Sequence, residues 1–595
     1  MIRPLQRPVL GCLCGLLILA AGNSCGTDLD DTGHAVQGAS SELPTERAPG
    51  YLLISPLKDN STYILADNGR VWHQWESDQP PGNSVYLLDD GDLLRCVREG
   101  DNPVFHGGGE GGRLQRMSWD GELEWDFLWS DETRLAHHDV APLPNGNVLL
   151  LSWSRKTRAE ALAAGMDPAL IQGDEIWPDS VVEIKPIEPD GGEVVWTWNV
   201  WDHLVQEFDP AQANYGVVED HPERIDLNAH RHREQKTEDE QKDELARMAA
   251  LGYAGDTQPV VRAEEAPEAP AVVESPAATE TEPKTEGKRR GGRGEDFCHT
   301  NGIDYNPQLD QIVLSVRTFS ELWVIDHALT TEEAAGHTGG RYGKGGDLLY
   351  RWGNPINYGR GTQDHQQLFV QHDARWVPAG MPGAGNLTVF NNGSGRPDGD
   401  YSSVVEITPP ISAEGGYMMK AGEPFGPHSP TWEYRAPDPT SFYSSFISGA
   451  ERQPNGNTLI CQGADGFVFE VNSAGSVVWE FTNPFGESDE QGEDRGPRPE
   501  PPGERGPRPG MRPRGPQGMG PPPGQGRRPG PPPGDGPPPH PDGGPHPADR
   551  PHPAGAPTDG AGEGRPEGKK RGMNSKALFR ATRIAPEHPA LNRKP

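Results

Sequence analysis

Short apolar runs, each introduced by an Asn-Gly or Asp-Gly step, recur along this chain. The clearest copies are Pro144-Asn145-Gly146-Asn147-Val148-Leu149-Leu150 and Pro454-Asn455-Gly456-Asn457-Thr458-Leu459-Ile460. Gly385-Asn386-Leu387-Thr388-Val389-Phe390 and the degraded Asp90-Gly91-Asp92-Leu93-Leu94 follow the same plan. Asn-Gly and Asp-Gly supply the positive φ angles of tight hairpin turns, and the apolar residues after them fit buried strands. A second half-unit is a strand, a turn and a strand ending near Trp, as in Val468-Phe469-Glu470-Val471 with Val477-Val478-Trp479. It recurs at Tyr63–Leu65 with Trp72, Leu114–Met117 with Trp125, Val181–Ile184 with Trp196, Leu322–Ile325 with Trp352, and Val404–Ile407 with Trp432. Six copies, each with about four short antiparallel strands, predict an all-β, six-bladed β-propeller with disordered insertions, since radial repetition of such blades leaves only short, protected edges.

Segments of different composition interrupt the repeat. Residues 1–25 read as an export signal: Arg3 and Arg7 precede the apolar run Val9–Ala21, too short to span a bilayer comfortably. The small residues before Cys25 resemble a bacterial lipoprotein signal, so the expected location is the periplasm or the outer membrane, with a lipid on Cys25 as one form of anchor. Residues 26–48 are a polar tether. Residues 49–231 and 296–485 carry the blades. Residues 232–295, acidic and rich in Ala and Pro, and the Pro/Gly-rich residues 486–575 cannot bury enough apolar surface to offset the entropy of ordering, and both are expected to be disordered. Within the first of these, Glu238 to Tyr253 is the one stretch able to form a short helix. Residues 576–595 hold a late strand, Ala577–Thr582, placed to return to a blade. Gly (76) and Pro (63) account for the low hydrophobic share of 33%. The formal charge, 54 − 88 = −34, argues against a nucleic-acid partner, which would require clustered Lys and Arg. Beyond the leader only Cys96, Cys298 and Cys461 remain, too few and too scattered for a disulfide framework.

Aligning the repeats on their turns exposes a constellation. His138-Asp139 stands seven residues before Asn145. Asn83-Ser84 and Ser448-Gly449 fill that place in other copies, and His372-Asp373 fills it after allowance for an insertion. His299 opens a further copy, Cys298 to Tyr305, which runs on into Arg317. Residues there mark where an inner strand enters its blade and would face the central channel, so His138, His299, His372 and Arg317 should converge. Three imidazoles can hold zinc or copper, but a guanidinium beside them would repel a dication. Arg with His suits a tetrahedral oxyanion instead. In the His-Asp steps the carboxylate could fix a ring tautomer or simply cap a turn. His203, His221 and His365 lie in loops and read as structural.

These residues resemble the bacterial arylsulfotransferases over roughly residues 50–230, 296–485 and 575–590. The resemblance rests on His137-His138-Asp139, on Asp296 to Arg317, and on Gln371-His372-Asp373 followed by Phe390-Asn391-Asn392-Gly393. It implies transfer of sulfate from a phenolic sulfate ester to a phenol acceptor in the periplasm, with no cofactor and no nucleotide donor. The absence of a P-loop-like phosphate cradle agrees. It further implies that His372 is the nucleophile of a sulfohistidine, ping-pong mechanism. His138, His299 and Arg317 would bind the sulfuryl oxygens, and Asn301 would be a substrate contact. Two other readings stay open: a metal-dependent hydrolase or oxidoreductase using the same histidines, and a non-catalytic propeller binding ligands at the cell surface. A homodimer is a further option for the assembly.

Overall fold

The structure is a computed structural model that describes residues 46–171, 173–232, 246, 248, 249, 253, 296–485 and 576–592. The leader with Cys25, most of the tether, most of 232–295 and nearly all of 486–575 lie outside the described residues. Six four-stranded antiparallel sheets follow one another, each laid out from an inner strand outward. Blade 1 starts at Pro81–Leu87 and ends at Leu123–Leu128. Blade 2 runs from Arg134–Pro142 to Gly191–Asn199, blade 3 from Thr300–Asn306 to Tyr350–Trp352, blade 4 from His372–Trp376 to Trp432–Tyr434, and blade 5 from Gly449–Arg452 to Val477–Thr482. Blade 6 is composite. Its inner strand is Leu578–Ile584, paired with Tyr51–Pro56 in the register Tyr51↔Ile584 and Leu53↔Thr582. The two ends of the repeat array are therefore hydrogen-bonded in one sheet, which closes the ring and leaves no inner strand unpaired.

The predicted pattern appears as a gradient of burial. Second and third strands are wholly buried in places, as in Gln311–Val316 and Glu321–Asp326. Outer strands alternate and leave Leu123, Val194, Val195 and Val477 exposed. The core lies between blades: Leu149, Leu151, Val181 and Trp196 of blade 2 pack on Ile303, Ile312 and Leu314 of blade 3. Each such aliphatic side chain contributes about 1.5–3 kcal/mol on burial. Cys96, Cys298 and Cys461 are buried free thiols within this packing.

The recurring Gly-Asn turn has a specific physical role. Gly146 and Gly456 adopt φ of 83° and 88°, conformations that a Cβ would strain. The Asn that follows donates across to the Glu of the third strand: Asn147 to Glu183 at 2.6 Å, Asn457 to Glu470 at 2.7 Å, and Asn386 to Glu406. The other oxygen of each Glu meets the next blade. Glu183 Oε2 meets His327 at 3.0 Å, Glu406 meets Arg452, and Glu470 meets Arg583 at 2.7 Å. The sequence repeat is thus also a blade-to-blade fastening.

Candidate functional site

At the opposite end, the inner strands enter their sheets through irregularities. Register shifts fall between Ala136 and Val140, Thr300 and Gly302, and His372 and Arg375. Bulges of this kind re-aim side chains. His138, His299 and Asp373 take left-handed φ angles of 56°, 50° and 56°, uncommon for residues with a Cβ and costing of order 1–3 kcal/mol each. In blade 4 the left-handed residue is Asp373, one place after the histidine. The result is a buried cluster. His138 is 0%, His299 7% and His372 1% exposed, and the rings of His138 and His299 lie 4.6 Å apart.

Hydrogen bonds fix the tautomer of His372. The Asn392 amide nitrogen donates to the carbonyls of Ser444 (2.7 Å) and Ile447 (2.9 Å), so its Oδ1 must accept. That oxygen lies 2.7 Å from His372 Nδ1, which therefore carries the proton. The backbone N–H of Ile447 points at Nε2 from 3.1 Å, as expected of a lone pair there. Burial, and then the Arg317 guanidinium, hold His372 well below the usual imidazole range. It is a neutral base whose Nε2 lone pair accepts from the Ile447 N–H.

His299 Nδ1 lies 2.5 Å from the Asp296 carboxylate. Burial outweighs that carboxylate and lowers the His299 pKa. His138 Nδ1 is 2.8 Å from His137 Nδ1, and His137 Nε2 is 3.4 Å from Asp179. If the His137 proton sits on Nε2, toward Asp179, then His138 carries its own on Nδ1 and presents a lone pair at Nε2. Burial, followed by the neighbouring histidines and Arg317, pushes the His138 pKa well down. Both presented Nε2 atoms face one phenol, that of Tyr253: its hydroxyl is 2.7 Å from His138 and 3.4 Å from His299.

Arg317 directly follows the second strand of blade 3, Gln311–Val316. Its backbone N–H donates to the His299 carbonyl at 3.3 Å, and its charge acts on all three axial histidines. Asn301 is fully buried and donates to the Gln371 carbonyl at 2.8 Å, immediately before His372. Its place is a tie between blades 3 and 4. The carboxylates of the His-Asp steps do not reach the neighbouring rings. Asp139 accepts from Tyr86 at 2.8 Å and from Arg580 at 2.5 Å, and Asp373 accepts from Arg375 at 2.8 Å, with Arg580 3.2 Å away. Arg580, from the late strand, thus links the strands that carry His138 and His372.

The loop histidines are structural. His203 is buried, stacked on Trp198 and bonded to Asp347 (2.9 Å) and the Ala334 carbonyl (2.9 Å). His221 pairs with Glu223 and His365 caps its own turn at Thr362. Among the described residues, His203, His337 and Asp347 form a group able to hold a cation, between the turn that follows blade 2 and a loop of blade 3 rather than among the axial histidines. Sequence reasoning assigned no role to Asn392, Asp296, His137, Arg580 or Tyr253. The first three lie in stretches that already stood out. Asn83, buried at φ 97° with no hydrogen-bond partner for its amide among the described residues, was visible only as the blade 1 register mate of His138.

The sequence model of the arylsulfotransferase (ASST) family matches residues 55–484, most of the chain. The chain belongs to the arylsulfotransferase family. Arylsulfotransferase activity in general, with small-molecule aryl sulfates and phenols as substrates, follows from that membership. The curated proteins contain no match to this arylsulfotransferase. Among solved structures it is similar to a protein of unknown function from Bacteroides caccae, at 11% identity and TM-score 0.34, covering 73% of this chain and 93% of that one. It is also similar to the Cps50 (Swd1) β-propeller domain of Myceliophteria thermophila, at 9% identity and TM-score 0.32, covering 77% and 90%. Virginiamycin B lyase from Staphylococcus aureus gives 8% identity and TM-score 0.31, covering 77% and 84%. The propeller assignment stands on the sheet order itself.

Proposed function

We propose that this arylsulfotransferase moves the sulfuryl group through His372 in two half-reactions. Nε2 of His372 attacks the sulfur of a phenolic sulfate ester. The S–O bond to the phenol breaks, an Nε2–S bond forms, and the phenol leaves as phenolate beside the Arg317 guanidinium while the sulfo-imidazole keeps its Nδ1 proton. A second phenol then gives its proton to the Nε2 lone pair of His138 or His299 and takes the sulfuryl group; the N–S bond breaks and its electron pair returns to Nε2 of His372. Arg317 stabilises charge on the sulfuryl oxygens in both directions. Asn301 acts by holding the backbone before His372. One observation carries the proposal: Asn392, itself locked by two carbonyls, keeps the His372 proton on Nδ1 and the lone pair on Nε2. The adjacent guanidinium favours an anion over a divalent cation among these rings. The leader supports a periplasmic or surface-anchored enzyme, where a donor without nucleotide is at an advantage.

The test is turnover of 4-nitrophenyl sulfate with excess phenol and no added metal, wild type beside His372→Ala. Phenol-dependent nitrophenolate release by the wild type alone, with a sulfuryl-labelled His372 trapped before phenol is added, is expected. Equal turnover by His372→Ala would refute the mechanism.

A further inference from the structure

The axial site already contains a phenol. Tyr253 comes from the stretch between blades 2 and 3, of which Ala246, Met248, Ala249 and Tyr253 are described. It is 0% exposed and packs with Met248, Leu57, Phe446, Ile447 and Phe579. Its ring centroid is 5.7 Å from that of Phe446 and 5.6 Å from that of His138. The backbone is held as well: the Tyr253 carbonyl accepts from Gly109 N–H at 2.9 Å, and its N–H donates to the Met248 carbonyl at 3.0 Å. The seat is shaped for the ring, because a Cβ on Gly108 would lie 2.7 Å from it. Burial of this kind is unexpected in a stretch whose composition argues against folding, and it places the hydroxyl against the two Nε2 atoms of His138 and His299.

We propose that Tyr253 is an acceptor in cis, a sulfation site served by this same active centre. The inference rests on the sulfohistidine reading. The Tyr253 hydroxyl oxygen attacks the sulfur carried on Nε2 of His372. An O–S bond forms, the N–S bond breaks, and its electron pair returns to Nε2, leaving His372 neutral. The phenolic proton passes to Nε2 of His138. The products are a tyrosine sulfate and the regenerated imidazole, with no further reactant. The chemistry is that of the free acceptor, since Tyr253 offers the same functional group within hydrogen-bond reach of a base. Its effective concentration there exceeds that of a dissolved phenol. Donor and acceptor phenols use one place in turn, so Tyr253 gives way to the donor in the first half-reaction and competes with free phenol in the second.

The experiment uses the full chain with 4-nitrophenyl sulfate and no phenol, followed by peptide-mapping mass spectrometry. A parallel reaction contains excess phenol. The expected result is a burst of nitrophenolate without added acceptor, with a sulfuryl group on the Tyr253 peptide. The label disappears in Tyr253→Phe and falls severalfold in Gly108→Ala, where the added methyl group displaces the ring. Excess phenol suppresses it. If free phenol is sulfated while the Tyr253 peptide stays unmodified, the proposal is overturned and the sulfohistidine reading survives. Labelling that is spread over other tyrosines, or persists on Tyr253 in His372→Ala, also overturns it. If neither phenol nor Tyr253 is labelled, both readings fall.

Discussion

The two ends of the inner strands solve opposite problems. At the turn end, the same three-part fastening recurs: a turn Asn, a buried Glu and an Arg or His from the next blade. There the left-handed φ angles fall on Gly146 and Gly456, which have no Cβ to strain, and each Glu is held from two sides. At the entry end the strands bulge, residues with side chains sit at left-handed φ, and five blades present Asn83, three histidines (His138, His299 and His372) and Ser448. Stability is invested where the repeat is kept, and chemistry lies where it is broken. The difference follows from geometry, because only the entry ends of separate blades bring unlike side chains together.

Arg580 ties together the strands that carry His138 and His372, so removing it should have the largest effect. Arg580→Met leaves Asp139 and Asp373 buried without their shared cation. It should cost about 3–5 kcal/mol in denaturant unfolding, and kcat should fall as well, since the strands bearing His138 and His372 lose their link. If activity survives undiminished in the folded fraction, Arg580 belongs to the scaffold alone. Arg583→Met removes the partner of buried Glu470 at the turn end. A loss of about 3–5 kcal/mol is expected there too, with kcat/KM of the folded protein unaltered; a drop in kcat/KM would break the comparison. Arg317→Ala should do the converse, lowering kcat by roughly 10²–10³ with little change in the unfolding midpoint.

The smallest effect is on pH dependence. His138 and His372 have folded pKa values below their unfolded ones, near 6.5. Below that pH the unfolded chain binds protons that the folded protein refuses, so stability declines as pH falls from about 6.5. Unfolding midpoints between about pH 7 and 5 should show this slope, and His138→Phe should make it shallower. An unchanged slope would mean that the ring is protonated in the fold.

Much of this protein was legible in the residues. Turn chemistry, strand alternation and the sixfold recurrence were enough for the propeller, because each is a local property with a fixed period. Register alone also singled out His138, His299, His372 and Arg317. The sequence could not say what the two Asp residues of the His-Asp steps bind: Asp139 and Asp373 turn away from the rings toward Arg580, more than two hundred residues distant. Nor could it fix the tautomer of His372, which depends on how Asn392 is held by carbonyls of Ser444 and Ile447. Tyr253 shows the limit most clearly. The wider segment around it argues against order, and only a cleft formed by Gly108, Phe446 and Phe579 from distant parts of the chain provides the burial that composition lacks. Period and turn type are written in short windows of sequence, whereas a proton's position and a buried ring's seat depend on groups that meet only after folding.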